Sequence, residues 1–301
     1  MNVLVVGGAG FIGSHLTERL LAEGHTVDVV DPLTSGSLAN LADARGLGGD
    51  LKIHTLNACA DEFQAMVAMR APDVIYHLAF LPPGLPAERT AGDAVRSTLA
   101  VLEAARGLGT AKVVVAISAV SLYGDVAGKD QPVKESQPWN PVGVHGVITR
   151  AVAELLSVYR EEHAVEFTAL ALANVYGPRQ RADGGVVAAF AHALREGISP
   201  VVHGDGRQTR DFLYIDDAVD ALVRAAQKGS GLVVNVGTGV ATAVRDLWTV
   251  MAGPDGRQPS PAPRRQHDVS RLALSPTRAR IQLGWAPWTD LAIGVRALGR
   301  R

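Results

Sequence analysis

Short apolar runs alternate along this chain with longer stretches in which apolar residues recur every three or four positions. Residues 3–6, 26–30, 74–78, 112–117 and 168–172 are rich in β-branched side chains and nearly continuous in apolar character, which predicts strands covered on both faces. Residues 13–22, 63–69, 94–106 and 145–162 carry helical periodicity between them. A further helix is predicted at 217–227, followed by a strand at 232–236. Strand and helix taking turns in this way predict an α/β fold built on a doubly wound parallel sheet. Beyond residue 179 the alternation loses regularity: Gly204-Asp205-Gly206 reads as a turn, and 254–263 is rich in Pro, Gly and Arg. The expectation is therefore a larger domain made of 1–178 and 212–241, with a smaller, discontinuous substrate domain made of 179–211 and 242–301.

Composition narrows the class. With 47% hydrophobic residues among 301, the chain has ample material for a packed interior. A formal net charge of -1 argues against nucleic acid as a partner. Cys59 is the single cysteine, so no internal disulfide is possible, and a cytoplasmic setting is expected. No apolar run reaches membrane-spanning length. The apolar opening runs directly into glycines without a basic leader, so it reads as a buried strand. No metal is expected.

The first strand ends in Gly7-Gly8-Ala9-Gly10-Phe11-Ile12-Gly13, and Ile12, Leu16 and Leu20 mark the apolar face of the helix that follows. Glycines at 7, 10 and 13 permit a sharp turn and let a pyrophosphate approach the helix N-terminus, where free N–H groups and the helix dipole favour it. Asp31 closes the second strand, where a carboxylate accepts both hydroxyls of an adenosine ribose. Strand, glycine turn, helix and acid together predict a Rossmann-type site for NAD(H) or NADP(H). Asp31 repels a 2′-phosphate and so favours NADH, although Thr34, Ser35 and Ser37 stand ready to donate to one.

Several longer motifs appear in a fixed order: Gly7 to Leu16, Val74-Ile75-Tyr76-His77-Leu78-Ala79, Asn174-Val175-Tyr176-Gly177-Pro178-Arg179-Gln180, Gly204-Asp205-Gly206-Arg207-Gln208-Thr209-Arg210-Asp211-Phe212, and Asn235-Val236-Gly237-Thr238-Gly239. Over nearly the whole length this resembles the extended short-chain dehydrogenase/reductase family, relatives of nucleotide-sugar epimerases and dehydratases. The resemblance implies that Asn57 and Ala58 flank the adenine, and that Leu78, Ala79 and Phe80 pass close to the nicotinamide ribose. It also implies that Arg210 binds a substrate phosphate, although an ion pair with Asp211 or Asp216 would explain that arginine equally well.

The catalytic pattern departs from the family. Its members use a Tyr four residues before a Lys, with a Ser or Thr nearby. Here tyrosines stand at 76, 123, 159, 176 and 214, and the residues four further on are Phe80, Ala127, His163, Gln180 and Ala218. Anchoring on Pro138, Pro141 and Gly146 places His145 and Thr149 at the Tyr and Lys positions; anchoring on Glu154 places Gly146 and Arg150 there. The hydroxyl position falls on Ala119 or, with one inserted residue, on Ser118. Ala94 and Ala171 stand where the family has Asn and Arg. The apolar segment Phe80-Leu81-Pro82-Pro83-Gly84-Leu85-Pro86 suits a flat substrate, with Trp139 as a second wall. These features favour an atypical ketoreductase acting on an aromatic, polyketide-like ketone, in kind similar to angucyclinone ketoreductases of the simocyclinone type. The proton then comes from His145, from Ser118 through water, or from the substrate's own phenol, the last being preferred. A nucleotide-sugar epimerase or dehydratase and a catalytically silent NAD-binding protein are the alternatives. A monomer or homodimer is expected.

Overall fold

The computed structural model describes residues 1–79, 87–109, 111–253, 256–265 and 268–298. Seven strands form one sheet, in the order Leu232–Val236, Phe167–Leu172, Lys112–Ser118, Val74–His77, Asn2–Val6, Thr26–Val30 and Leu51–His54. Every neighbouring pair is parallel. Valines and leucines of the central strands are almost wholly buried, as the continuous apolar runs require when helices cover both faces. Helices Phe11–Ala22 and Ile215–Ala225 pack together, as do Ala87–Leu108 and Gly143–His163.

A second, smaller core gathers Val187 and Phe190 of the helix Val186–Glu196, Val202 of a short strand, Leu247 and Trp248 of the helix Val244–Ala252, and Val295 near the C-terminus. The tail does not belong to it alone. Leu272, Leu274, Ala279, Leu283 and Trp285 pack into the larger core, so the chain crosses back after leaving the smaller one. Residues beyond 242 in the expected smaller domain thus contribute to both cores. Among the described residues, no helix is long and apolar enough to cross a membrane.

Candidate active site

Strand Asn2–Val6 lies between Thr26–Val30 and Val74–His77, and chain order reverses about it. In such sheets a crevice opens beyond the carboxyl ends of the strands. Here it is a cavity of about 790 Å³, large enough for a small-molecule ligand.

Gly7 has φ +85°, and a β-carbon there would come within 2.7 Å of the Ala79 nitrogen. A β-carbon at Gly13 would run into the Gly7 carbonyl. Those two glycines let the turn and the next strand pack. Gly10 differs: its β-carbon would meet only the Gly7 carbonyl oxygen at 3.2 Å. The helix Phe11–Ala22 begins after Gly10 with no side-chain cap and no acidic residue in its first turn. Its leading N–H groups are thus left for an anion at the cavity.

Asp31 is held by its own surroundings. Its Oδ2 accepts from the Ala9 N–H at 3.0 Å and its Oδ1 from the Leu33 N–H at 2.8 Å. Each oxygen keeps acceptor capacity for a ribose hydroxyl. Burial raises the Asp31 pKa, and those two backbone bonds partly oppose the rise. Gly7, Gly10, Phe11, Ile12, Gly13, Asp31, Ser35, Asn57, Ala58, Leu78 and Ala79 all line this one cavity. The Asn57 side-chain oxygen accepts from the Cys59 N–H at 2.9 Å, which fixes the turn beside it. Phe80 and Leu81 lie outside the described residues, as does the rest of the apolar segment through Pro86.

At the other end of the cavity stand Ser118, Ser121, His145 and Thr149. The structure separates the two possible anchors. His145 and Thr149, one helical turn apart, both face the cavity. A side chain at Gly146 would instead strike the Ser121 carbonyl oxygen, and Arg150 is paired with Glu154 at 2.8 Å on the surface. The Nε2 of His145 is buried and has no hydrogen-bond partner. Thr149 donates its hydroxyl to the His145 carbonyl at 2.8 Å, so it is no substitute for a cationic lysine. Ser118 caps the short helix Ala119–Tyr123 by accepting from the Ser121 N–H at 3.3 Å, whereas Ala119 is wholly buried. Among the described residues, no tyrosine or lysine lines the cavity. Tyr123 is buried and donates to the Asn235 side-chain oxygen at 2.9 Å, and Tyr159 donates to Glu103 at 2.7 Å.

Two expected substrate residues are placed elsewhere. Arg210 is buried, and its guanidinium donates to Asp268 and to the carbonyls of Thr209 and Val269. Its ion-pair partner is thus neither Asp211 nor Asp216. Trp139 packs against the larger core and does not line the cavity. Sequence reasoning missed Ser97, Ser121 and Arg179, which do. Ser121 had a legible signal, standing three residues beyond Ser118, but Arg179 had none beyond membership of a motif.

Residues 3–237 match the family model described as the NAD dependent epimerase/dehydratase family, and the chain belongs to that family. It is 39% identical over 307 aligned positions to a UDP-glucose 4-epimerase of Mycolicibacterium smegmatis, covering 98% of this chain and 96% of the relative. The structure of a UDP-glucose 4-epimerase with UDP-glucose from Thermotoga maritima is similar at TM-score 0.92 and 32% identity, over 99% of this chain and 97% of that one. A Thermus thermophilus UDP-glucose 4-epimerase in complex with NAD is similar at TM-score 0.88 and 29% identity, over 100% of this chain and 99% of that one.

These relatives overturn the ketoreductase reading and its simocyclinone-type comparison. That reading leaned on the apolar segment 80–86, which lies outside the described residues, and on Trp139, which is not in the cavity. The described lining instead includes Ser97, Ser118, Ser121 and Thr149. The preference for a proton supplied by a substrate phenol falls with the aromatic ketone.

Proposed function

We propose that the chain is an NAD-dependent nucleotide-sugar epimerase in which His145 stands in for the family's tyrosine. The observation that carries this is the buried, unpartnered Nε2 of His145 in a cavity shared with the predicted dinucleotide contacts. NAD, when bound, would supply reversible hydride chemistry at a sugar carbinol carbon. Gly10, the helix start behind it and Asp31 hold the dinucleotide. His145 Nε2 takes the carbinol proton as the hydride leaves and gives it back as the hydride returns. Ser118 orients the sugar hydroxyl toward it.

The loss of both dyad members is chemically coherent. A free phenol titrates near about pH 10 and needs a neighbouring cation to act as a base at neutral pH. An imidazole accepts a proton on its unprotonated ring nitrogen and needs no such cation. With His145 in place, a lysine at position 149 has no task on the proton, and Thr149 is free to bind the helix backbone. The expected residues 179–211 and 242–301 would supply the contacts to the nucleotide.

The test is direct. Wild-type protein with NAD and UDP-glucose should form UDP-galactose, measured by a coupled galactose assay. His145→Ala should lower kcat by about 10²–10⁴-fold with NADH affinity unchanged. Epimerisation at wild-type rate in His145→Ala would remove its assigned role. No turnover of any UDP-sugar by NAD-loaded wild type would leave a non-catalytic NAD-binding protein as the better account.

A further inference from the structure

We propose that Arg179 is a clasp across the cofactor cleft, and that it sets how long the dinucleotide stays bound. The inference rests on the dinucleotide lying in this cleft, and not on which sugar is turned over. The cleft is lined by Thr34, Ser35 and Asn40, by Arg179, Gln180 and Gly184, and by the start of helix Phe11–Ala22. A ligand whose pyrophosphate rests on that helix start shares the cavity with all three segments.

Arg179 joins them. Its Nη2 donates to Glu18 on the first helix and to Asp43 on the helix Ala42–Gly46, each at 2.6 Å. The arginine side chain is only 9% exposed, whereas Asp43 is 57% exposed, so the bond runs from the interior to the rim. The segment bearing Arg179 is also pinned at its base: His15 Nε2 bonds the Pro178 carbonyl at 3.0 Å, and Gln180 donates to the carbonyls of Val175 and Gly184.

Two further observations separate a clasp from a plain structural tie. Arg179 lines the cavity, yet its Nη1 is buried without any protein partner. A guanidinium nitrogen so placed has two N–H donors to give to a ligand oxygen, and leaving them unmet in the interior is unfavourable. Arg179 also has φ +65°, a left-handed backbone that a non-glycine residue adopts at a cost. The unmet Nη1 donors are accounted for when a ligand oxygen completes the guanidinium's bonding, and the left-handed backbone marks a position over-determined by its surroundings. The two carboxylates then restrain the arginine from swinging away, and the rim pair with Asp43 must break before the ligand leaves.

An epimerase has a particular use for such a device, because the same nicotinamide must stay in place between taking a hydride and returning it. The reading is tested by the dissociation rate of NADH, followed by stopped-flow fluorescence on mixing the complex with excess NAD. Arg179→Gln should speed release by about tenfold, with the association rate changed far less. Asp43→Asn, at an exposed position that leaves the core intact, should speed it by about threefold. The double variant should release no faster than Arg179→Gln alone. Raising salt from about 0.05 to about 0.5 M should speed release from wild type and have much less effect on Arg179→Gln. Release from both single variants at the wild-type rate would overturn the clasp while leaving the cofactor site standing. Failure of wild type to bind NADH would overturn the cofactor site itself, and the clasp with it.

Discussion

Among the three motif glycines, only Gly10 combines a φ open to any residue, -75°, with room for an added β-carbon, whose one neighbour is the Gly7 carbonyl oxygen at 3.2 Å. Gly10→Val should therefore fold, with a far-ultraviolet circular dichroism spectrum like wild type, and yet show no NADH binding by calorimetry. Undiminished affinity would remove the pyrophosphate from this turn. Asp31 makes the companion case: Asp31→Ala should weaken NADH more than NADPH, and an equal loss would cancel the preference for NADH. Because burial raises its pKa above 3.8, the charged carboxylate is lost on acidification earlier than an exposed one would be, and NADH affinity should fall with it. These residues were legible from sequence because turn geometry and an acid at a strand end are local demands. His145 was not separable from Gly146, since a shift of one residue around a helix is settled only by what each side meets. The pairing of Arg210 with Asp268 was not foreseen, because the two stand 58 residues apart.

Strand Lys112–Ser118 begins with a buried lysine whose ammonium donates to the Lys228 carbonyl at 2.8 Å. Burial pulls the Lys112 pKa from 10.5 down to about 8. The folded state therefore binds fewer protons than the unfolded state between those values, so stability rises with pH across that window. The charged form costs the fold on the order of 3 kcal/mol below about pH 8. Lys112→Met should flatten the rise in urea midpoint between pH 8 and 10.5; an unchanged slope would mean that another group is responsible. At this scale the central strands were plain in the sequence because both of their faces are apolar. The edge strand Leu51–His54 is short and only partly buried, and it gave no such run. Helices Val186–Glu196 and Val244–Ala252 were missed because Gly185 and Ala243 stand at their N-caps and offer no capping side chain.

Across the whole molecule, one buried carboxylate ties distant segments together. Asp211 accepts from the Thr238 N–H at 2.9 Å, the Thr238 hydroxyl at 2.6 Å, the Gly239 N–H at 3.0 Å and the Leu274 N–H at 3.0 Å. Burial raises its pKa, opposed by those same bonds. Asp211→Asn should cost about 2–4 kcal/mol, because an amide nitrogen would face donors it cannot satisfy. Differential scanning calorimetry should show the melting temperature lower by several degrees, whereas a change below one degree would mean the site relaxes. The motif containing Asp211 was visible in the sequence, but its role was not, since its partners come from two later segments. The doubly wound class was legible for the opposite reason, as every βαβ unit declares itself locally. The substrate class was not legible, because it was read from a missing dyad and an apolar run instead of from the hydroxyl-bearing lining.

The bond from Leu274 to Asp211 also orders events in time. A ribosome delivers the Asp211 segment well before residue 274 emerges, at about 5–20 residues per second. Until then the carboxylate lacks one of its donors, and Leu272, Leu274, Leu283 and Trp285 are missing from the larger core. The nascent dinucleotide fold should thus keep apolar surface uncovered for a time on the order of seconds. Among the described residues, segment 268–298 contributes no residue to the cofactor cavity, yet its apolar side chains are what cover that surface.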